Sequence, residues 1–103
     1  MMDNEQLVLR IQSGDNEENM LQLWQQNKGF IAMLARRYSA GAEMEDLEQE
    51  GYIALCEAVQ HYSPDRGASF ISYAAFWIKR RMRICADNSR TVRLSFNAGD
   101  EVR

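Results

Sequence analysis

FISYAAFWIKRRMRICAD, residues 70–87, reads as one long helix with two unlike faces. At about 100° per residue, Phe70, Tyr73, Ala74, Trp77, Ile78 and Cys85 share an apolar side. Ser72, Phe76, Lys79, Arg80 and Arg83 fall on the other. Ser69 stands where an N-cap is needed, because its hydroxyl can accept from an orphan amide of the first turn. An aromatic set among cations suits nucleic acid: Lys and Arg neutralise phosphates and release counterions, and a ring can stack on an unpaired base of any identity. Tyr73 and Trp77 border that region, although periodicity alone assigns them to the core. Arg81 projects toward the centre of the apolar stripe, so it requires an acidic partner or a deviation of the helix there.

Just upstream, Ser63-Pro64-Asp65-Arg66-Gly67 is the strongest turn in the chain, since Pro fixes its own φ and Gly permits a left-handed residue. Before it, Leu55, Ala58, Val59 and Tyr62 form one stripe of a helix that begins near Leu47 and leaves Glu48, Gln49, Glu50 and Glu57 largely outside. Residues 43–46 load negative charge onto its first turn, where the helix dipole favours it. Further upstream, Asp15 and Glu18 have the spacing of a capping pair. Met20, Leu21, Leu23, Trp24, Ile31, Leu34, Ala35 and Tyr38 continue a helical pattern that Gly29 is expected to interrupt, as one kinked helix or two in series. Residues 4–13 predict a short amphipathic strut through Leu7, Val8 and Ile11, stopped by Gly14.

The chain has 103 residues, 46% hydrophobic and 26% charged, with one Pro and six Gly, which bounds it to a single small helical domain and excludes a large enzyme. Residues 1–65 carry 4 basic and 12 acidic side chains, and residues 66–103 carry 8 basic and 3 acidic. An acidic surface for one partner and a basic one for another follow from that split, although solvated helix faces also produce charge runs. No apolar run approaches the roughly 20 residues of a membrane span, and the acidic N-terminus is unlike a secretory signal, so a cytoplasmic location is expected. Cys56, Cys85 and the single His61 cannot supply four zinc ligands, and the cysteines read as small buried hydrophobes. His61 reads as a surface or boundary residue. No catalytic residue, metal or cofactor is expected, because convergent acid–base groups and a phosphate loop are missing from the sequence.

The ordered string Asp46-Leu47-Glu48-Gln49-Glu50-Gly51-Tyr52-Ile53-Ala54-Leu55, with Ala58-Val59, Arg66-Gly67, Phe70, Ser72-Tyr73-Ala74, Trp77-Ile78 and Arg90-Thr91-Val92-Arg93, resembles region 2 of the bacterial sigma-70 family. Ala35-Arg36-Arg37-Tyr38 with Gly41 is similar to the segment that precedes it there. The resemblance implies an all-α bundle of four to five helices. It also implies that the acidic helix docks on the clamp coiled coil of the largest RNA polymerase core subunit, through Asp46, Gln49, Glu50 and Tyr52. Carboxylates and an amide suit arginines on such a partner. The next helix then recognises and melts the minus-ten promoter element, capturing a non-template adenine. Phe70, Tyr73, Phe76 and Trp77 match the melting positions and Ser72 a small hydroxyl position. Lys79, Arg80 and Arg83 would touch the backbone or the upstream duplex edge. Residues 1–95 would form this domain, with 96–103 the start of a linker or a disordered tail. An anti-sigma factor is a further partner that the resemblance raises.

Several positions depart from the family pattern. Ala68 stands where housekeeping members usually carry an aromatic, Phe76 replaces the first of a Trp pair, and Arg80 occupies a position that is commonly Gln. Arginine reads guanine by a bidentate contact whereas glutamine suits adenine, so Arg80 either alters the upstream base chosen or binds phosphate. Between Trp77 and Arg90 the chain is one residue shorter than the housekeeping pattern. With region 2 alone, duplex binding is expected to be weak and more strongly dependent on core enzyme. The rival reading is a sigma-like helical interaction module that binds polymerase or another protein without promoter recognition. A helix-turn-helix repressor and a nuclease are more remote.

Overall fold

The computed structural model describes the backbone of residues 2–102 and, among side chains, those of residues 2–88 apart from Arg66. Its order is α1 (Asn4–Gln12), α2 (Glu17–Arg36), α3 (Met44–His61), a 3-10 turn (Pro64–Arg66) and α4 (Phe70–Val102), with no strand among the described residues. The all-α bundle expected from the sequence is the fold observed.

Helix α1 starts with a reciprocal cap: the Asp3 carboxylate accepts from the Gln6 amide at 2.8 Å and the Gln6 side chain accepts from the Asp3 amide at 3.1 Å. It ends before Gly14, whose φ of 107° is open to glycine and strained for other residues. Helix α2 corrects two expectations. It begins at Glu17 with no side-chain cap bond, so Asp15 and Glu18 do not act as a capping pair there. It also runs unbroken through Gly29, which is exposed with open space where a Cβ would sit. A lone exposed glycine costs helix propensity, about 1 kcal/mol against Ala, and interrupts nothing when tertiary packing holds both sides. Helix α4 continues past Asp87, where the apolar pattern lapses, because no proline follows to break it. The residues Arg90-Thr91-Val92-Arg93 and the boundary expected near residue 95 fall outside the described side chains.

Leu7, Val8, Leu23, Ile31, Leu34, Leu47, Leu55, Phe70, Ile78 and Met82 are the largest fully buried side chains of the core, drawn from all four α-helices. Met82 takes the central inward position on α4, and Cys85 is only half-buried. Three helices meet at Gly51: a Cβ there would lie 2.5 Å from Ile31 Cγ2 on α2 and 3.1 Å from Met82 Cε on α4. Glycine is therefore what lets α3 approach both neighbours.

The strut α1 fastens the C-terminal end of α3 and the N-terminal end of α4. The Gln12 side-chain amide donates to the Val59 and Tyr62 carbonyls at 2.8 and 2.9 Å, satisfying acceptors at the C-terminal end of α3. The Glu5 carboxylate accepts from the Phe70 amide at 2.6 Å, at the positive end of α4. Ser69 Oγ adds a longer acceptor for the Ser72 amide at 3.3 Å, in line with its expected capping place. The loop from Ser63 to Ser69 is thus held from both sides, and with it the first turn of α4.

Candidate functional site

On the outward side of α4, Phe76 is 69% exposed, the most open of the large apolar residues described. Most large aromatic side chains are at least half-buried on folding, and this ring is left largely in solvent. It lines a groove of about 320 Å³ with Tyr38, Ser72, Ala75, Lys79, Arg80 and Arg83. Ser72, Lys79, Arg80 and Arg83 are exposed, and the three cations have no acidic partner among the described residues. Tyr38, just beyond the end of α2, was not among the site residues expected from sequence. Its place in the family-like segment was legible, but the groove it joins is made by tertiary packing.

Toward α3, a chain of rings runs from the core to the surface. Tyr62 packs edge-on against Phe70 at 5.3 Å and tilted against Tyr73 at 5.6 Å. Tyr73 meets Trp77 at 6.2 Å, and Trp77 stacks on His61 at 5.0 Å with ring planes 16° apart. Tyr73 and Trp77 are half-buried and His61 is exposed. Phe70 is 0% exposed and has no surface to offer a base, which separates it from the other expected melting residues. The Tyr62 hydroxyl donates to the Ala68 carbonyl at 2.8 Å, and burial pushes its pKa up, so it remains a donor.

The opposite surface is built on α3. Asp46 and Gln49 are exposed, and Tyr52 is 39% exposed with its ring edge-on to Trp24 at 5.3 Å. Trp24, Glu45, Glu48, Gln49, Tyr52 and Ile53 line a largely apolar groove of about 490 Å³ with an acidic rim. Burial, and next to it Cys56 one turn along, raise the Tyr52 hydroxyl, which stays a hydrogen-bond donor. Burial likewise raises the Cys56 thiol. Trp24 joins this surface from α2, where the sequence showed only that it continues a helical pattern.

Glu50 is differently placed from Asp46 and Gln49. Arg81 Nε donates to Glu50 Oε1 at 2.8 Å and Arg81 Nη1 to Glu57 Oε1 at 3.1 Å. The acidic partner that Arg81 requires is therefore supplied by α3, and Glu50 is engaged within the fold. The Glu50 hydrogen bond is the main cause that raises the Arg81 pKa, against a smaller opposing effect of burial. All three side chains keep about a third of their surface, so the pairs contribute roughly 0–1 kcal/mol each in water-screened conditions.

No group of His, Cys, Asp or Glu that could hold a metal ion occurs among the described residues, and no described helix is long and apolar enough to cross a membrane. Residues 23–89 match the family model of sigma-70 region 2. The chain is 36% identical over 94 residues to the RNA polymerase sigma factor SigA of a Bacillus species, covering 89% of this chain and 25% of that protein. It is 39% identical over 82 residues to the RNA polymerase sigma-C factor of Myxococcus xanthus, covering 79% and 28%. With the RNA polymerase sigma factor RpoS of Coxiella burnetii it shares 33% over 98 residues, covering 93% and 28%. It thus spans about a quarter of the length of these curated relatives. No solved structure gives a significant match.

Proposed function

The chain belongs to the sigma-70 region 2 family, and on that premise we propose that α3 binds RNA polymerase core while α4 recognises and opens the minus-ten promoter element. One observation carries the reading: two surfaces of opposite character are left unused by the fold. Asp46, Gln49 and Tyr52 stand open on α3 beside an aromatic-lined groove. Phe76, Lys79, Arg80 and Arg83 stand open on α4.

The core-binding face works by complementarity. Asp46 and Gln49 offer acceptors for arginines of a helical clamp, and the Tyr52 hydroxyl offers a donor, while the groove between Trp24 and Tyr52 admits the aliphatic part of a long side chain. Glu50 contributes by holding Arg81, which ties α3 to α4.

Promoter opening on α4 is strand separation without bond cleavage. Extracting a base costs a few kcal/mol of stacking and pairing, offset by stacking on protein rings. Phe76 is the open ring, with Tyr73 and Trp77 at the flank, and Ser72 supplies a hydroxyl beside them. Lys79, Arg80 and Arg83 hold the phosphates next to the extracted base, and the absence of an acidic partner among the described residues leaves their charge available. Because Arg80 lies in the groove with Lys79 and Arg83, the phosphate role fits it as well as a base contact does.

The test is a titration of the chain against the isolated clamp coiled coil, with and without a non-template minus-ten oligonucleotide. Asp46→Arg is expected to abolish clamp binding, and Phe76→Ala to weaken oligonucleotide capture by about ten-fold or more while clamp binding persists. Clamp binding with no oligonucleotide capture, in wild type or complex, would move the interaction-module reading to the front.

A further inference from the structure

His61 is the outermost ring of the aromatic chain that begins in the core at Phe70, and neither the family match nor the sequence pattern gives it a role. Its ring is exposed, and it lies nearly parallel to Trp77, with centroids 5.0 Å apart. A second contact fixes its rotation: Nδ1 lies 2.9 Å from the Glu57 carbonyl oxygen. A carbonyl can only accept, so Nδ1 carries a proton and donates, which leaves Nε2 as the ring's other polar atom. The imidazole is therefore clamped twice on its inner side, by a ring stack and by a backbone hydrogen bond.

We propose that His61 is a stacking plate for an unpaired DNA base, extending the α4 strand-capture surface across the seam onto the end of α3; this rests on the promoter-opening reading given above. Three features favour a base over other ligands. A flat, exposed ring backed by a second parallel ring presents the surface that sequence-tolerant single-strand binders use. The clamped ring loses little further freedom when a base stacks on it, so the ordering cost of binding is small. In the tautomer with the proton on Nδ1, Nε2 is an acceptor in the plane of the plate, where an exocyclic amino group of a neighbouring unpaired base can meet it. The Val59 and Tyr62 carbonyls at the end of α3 are satisfied by Gln12 and do not depend on the histidine.

The experiment measures binding of the full chain, alone and with the clamp coiled coil, to a fluorescent single-stranded minus-ten oligonucleotide and to copies with one abasic site at successive positions. His61→Ala is expected to weaken binding by about five-fold or more, the lower end of one lost base stack. His61→Phe is expected to restore most of it, and His61→Gln, which keeps polarity without a plate, to resemble His61→Ala. One abasic position is expected to weaken wild type and leave His61→Ala unaffected, a pairing that a purely structural role would not produce. Thermal unfolding of each variant separates loss of fold from loss of the plate. Unchanged binding in His61→Ala would overturn the inference and leave the promoter-opening reading intact. Tighter binding in His61→Ala would also overturn it, making His61 a cover over Trp77. Failure of wild type to bind any oligonucleotide, with or without the clamp, would remove both.

Discussion

Along the seam between α3 and α4, Glu50, Arg81 and Phe70 are used up within the fold, while Asp46, Arg80 and Phe76 stand open a turn or less than two turns away. The two helices run antiparallel, as the meetings of Gly51 with Met82, His61 with Trp77 and Tyr62 with Phe70 require. Residue type is nearly the same on the seam and off it. Position around the helix decides which carboxylate, cation and ring hold the molecule together and which remain for a partner. In a domain this small, a site consists of those groups that packing did not consume.

The largest expected effect sets Phe70 against Phe76. Phe70→Ala removes a fully buried ring that packs on Tyr62, and should cost about 3–5 kcal/mol of stability in a denaturant titration. Phe76→Ala removes a ring that is 69% exposed and should leave stability within about 0.5 kcal/mol while oligonucleotide capture falls by about ten-fold or more. Equal stability losses in the two variants would dissolve the distinction between seam and open face.

The seam itself is tested at Gly51. Gly51→Ala places a methyl 2.5 Å from the buried, branched Ile31 and 3.1 Å from Met82, so either the neighbours or the helices must move. Overpacking of this kind costs about 1–3 kcal/mol. Unfolding midpoints measured with and without the clamp coiled coil check it. A stability cost is expected in both, because the open face on α3 is remote from the methyl in helix phase.

A smaller effect, about 0.5–2 kcal/mol, is expected for Glu5→Ala, which removes the acceptor at the start of α4. Glu5→Gln keeps an acceptor and should recover part of the loss. Hydrogen exchange at the first turn of α4 would show whether the opening is local, as the position of the bond requires.

These contacts show how far the sequence could be read. Periodicity and turn chemistry were enough for the presence of helices in these segments, for the turn at Pro64, for Ser69 before α4 and for the conflict at Arg81, which left an acidic partner or a deviating helix open. Both fell short where the partner lay far along the chain. Glu5 and Phe70 are 65 residues apart, and Glu50 and Arg81 are 31 apart, so no local rule pairs them. Phe70 and Phe76 both match family melting positions; periodicity already set them on opposite faces of α4, and the packing leaves Phe70 fully buried and Phe76 open. Tyr38 and Trp24 entered the two grooves from α2 and its end, which a one-helix view of each face could not supply. Gly29 misled because a glycine in an exposed helical position looks, in one dimension, like an interruption.

The finest comparison is between Asp46 and Glu50, two carboxylates one turn apart on α3. Asp46 has no cation within the described residues, and its substitution by Arg should remove clamp binding with little change in folding. Glu50 is held by Arg81, so Glu50→Gln and Arg81→Met should each alter folding slightly and interact with one another. A double-mutant cycle on unfolding free energy is expected to give a coupling of about 0.2–1 kcal/mol, diminishing as salt is raised, because both groups remain partly in water. The same cycle run on clamp affinity should give no coupling if the ion pair serves the seam alone. A coupling in affinity equal to that in stability would instead place Glu50 and Arg81 on the binding face together, and the boundary between seam and open surface would shift by one helical turn.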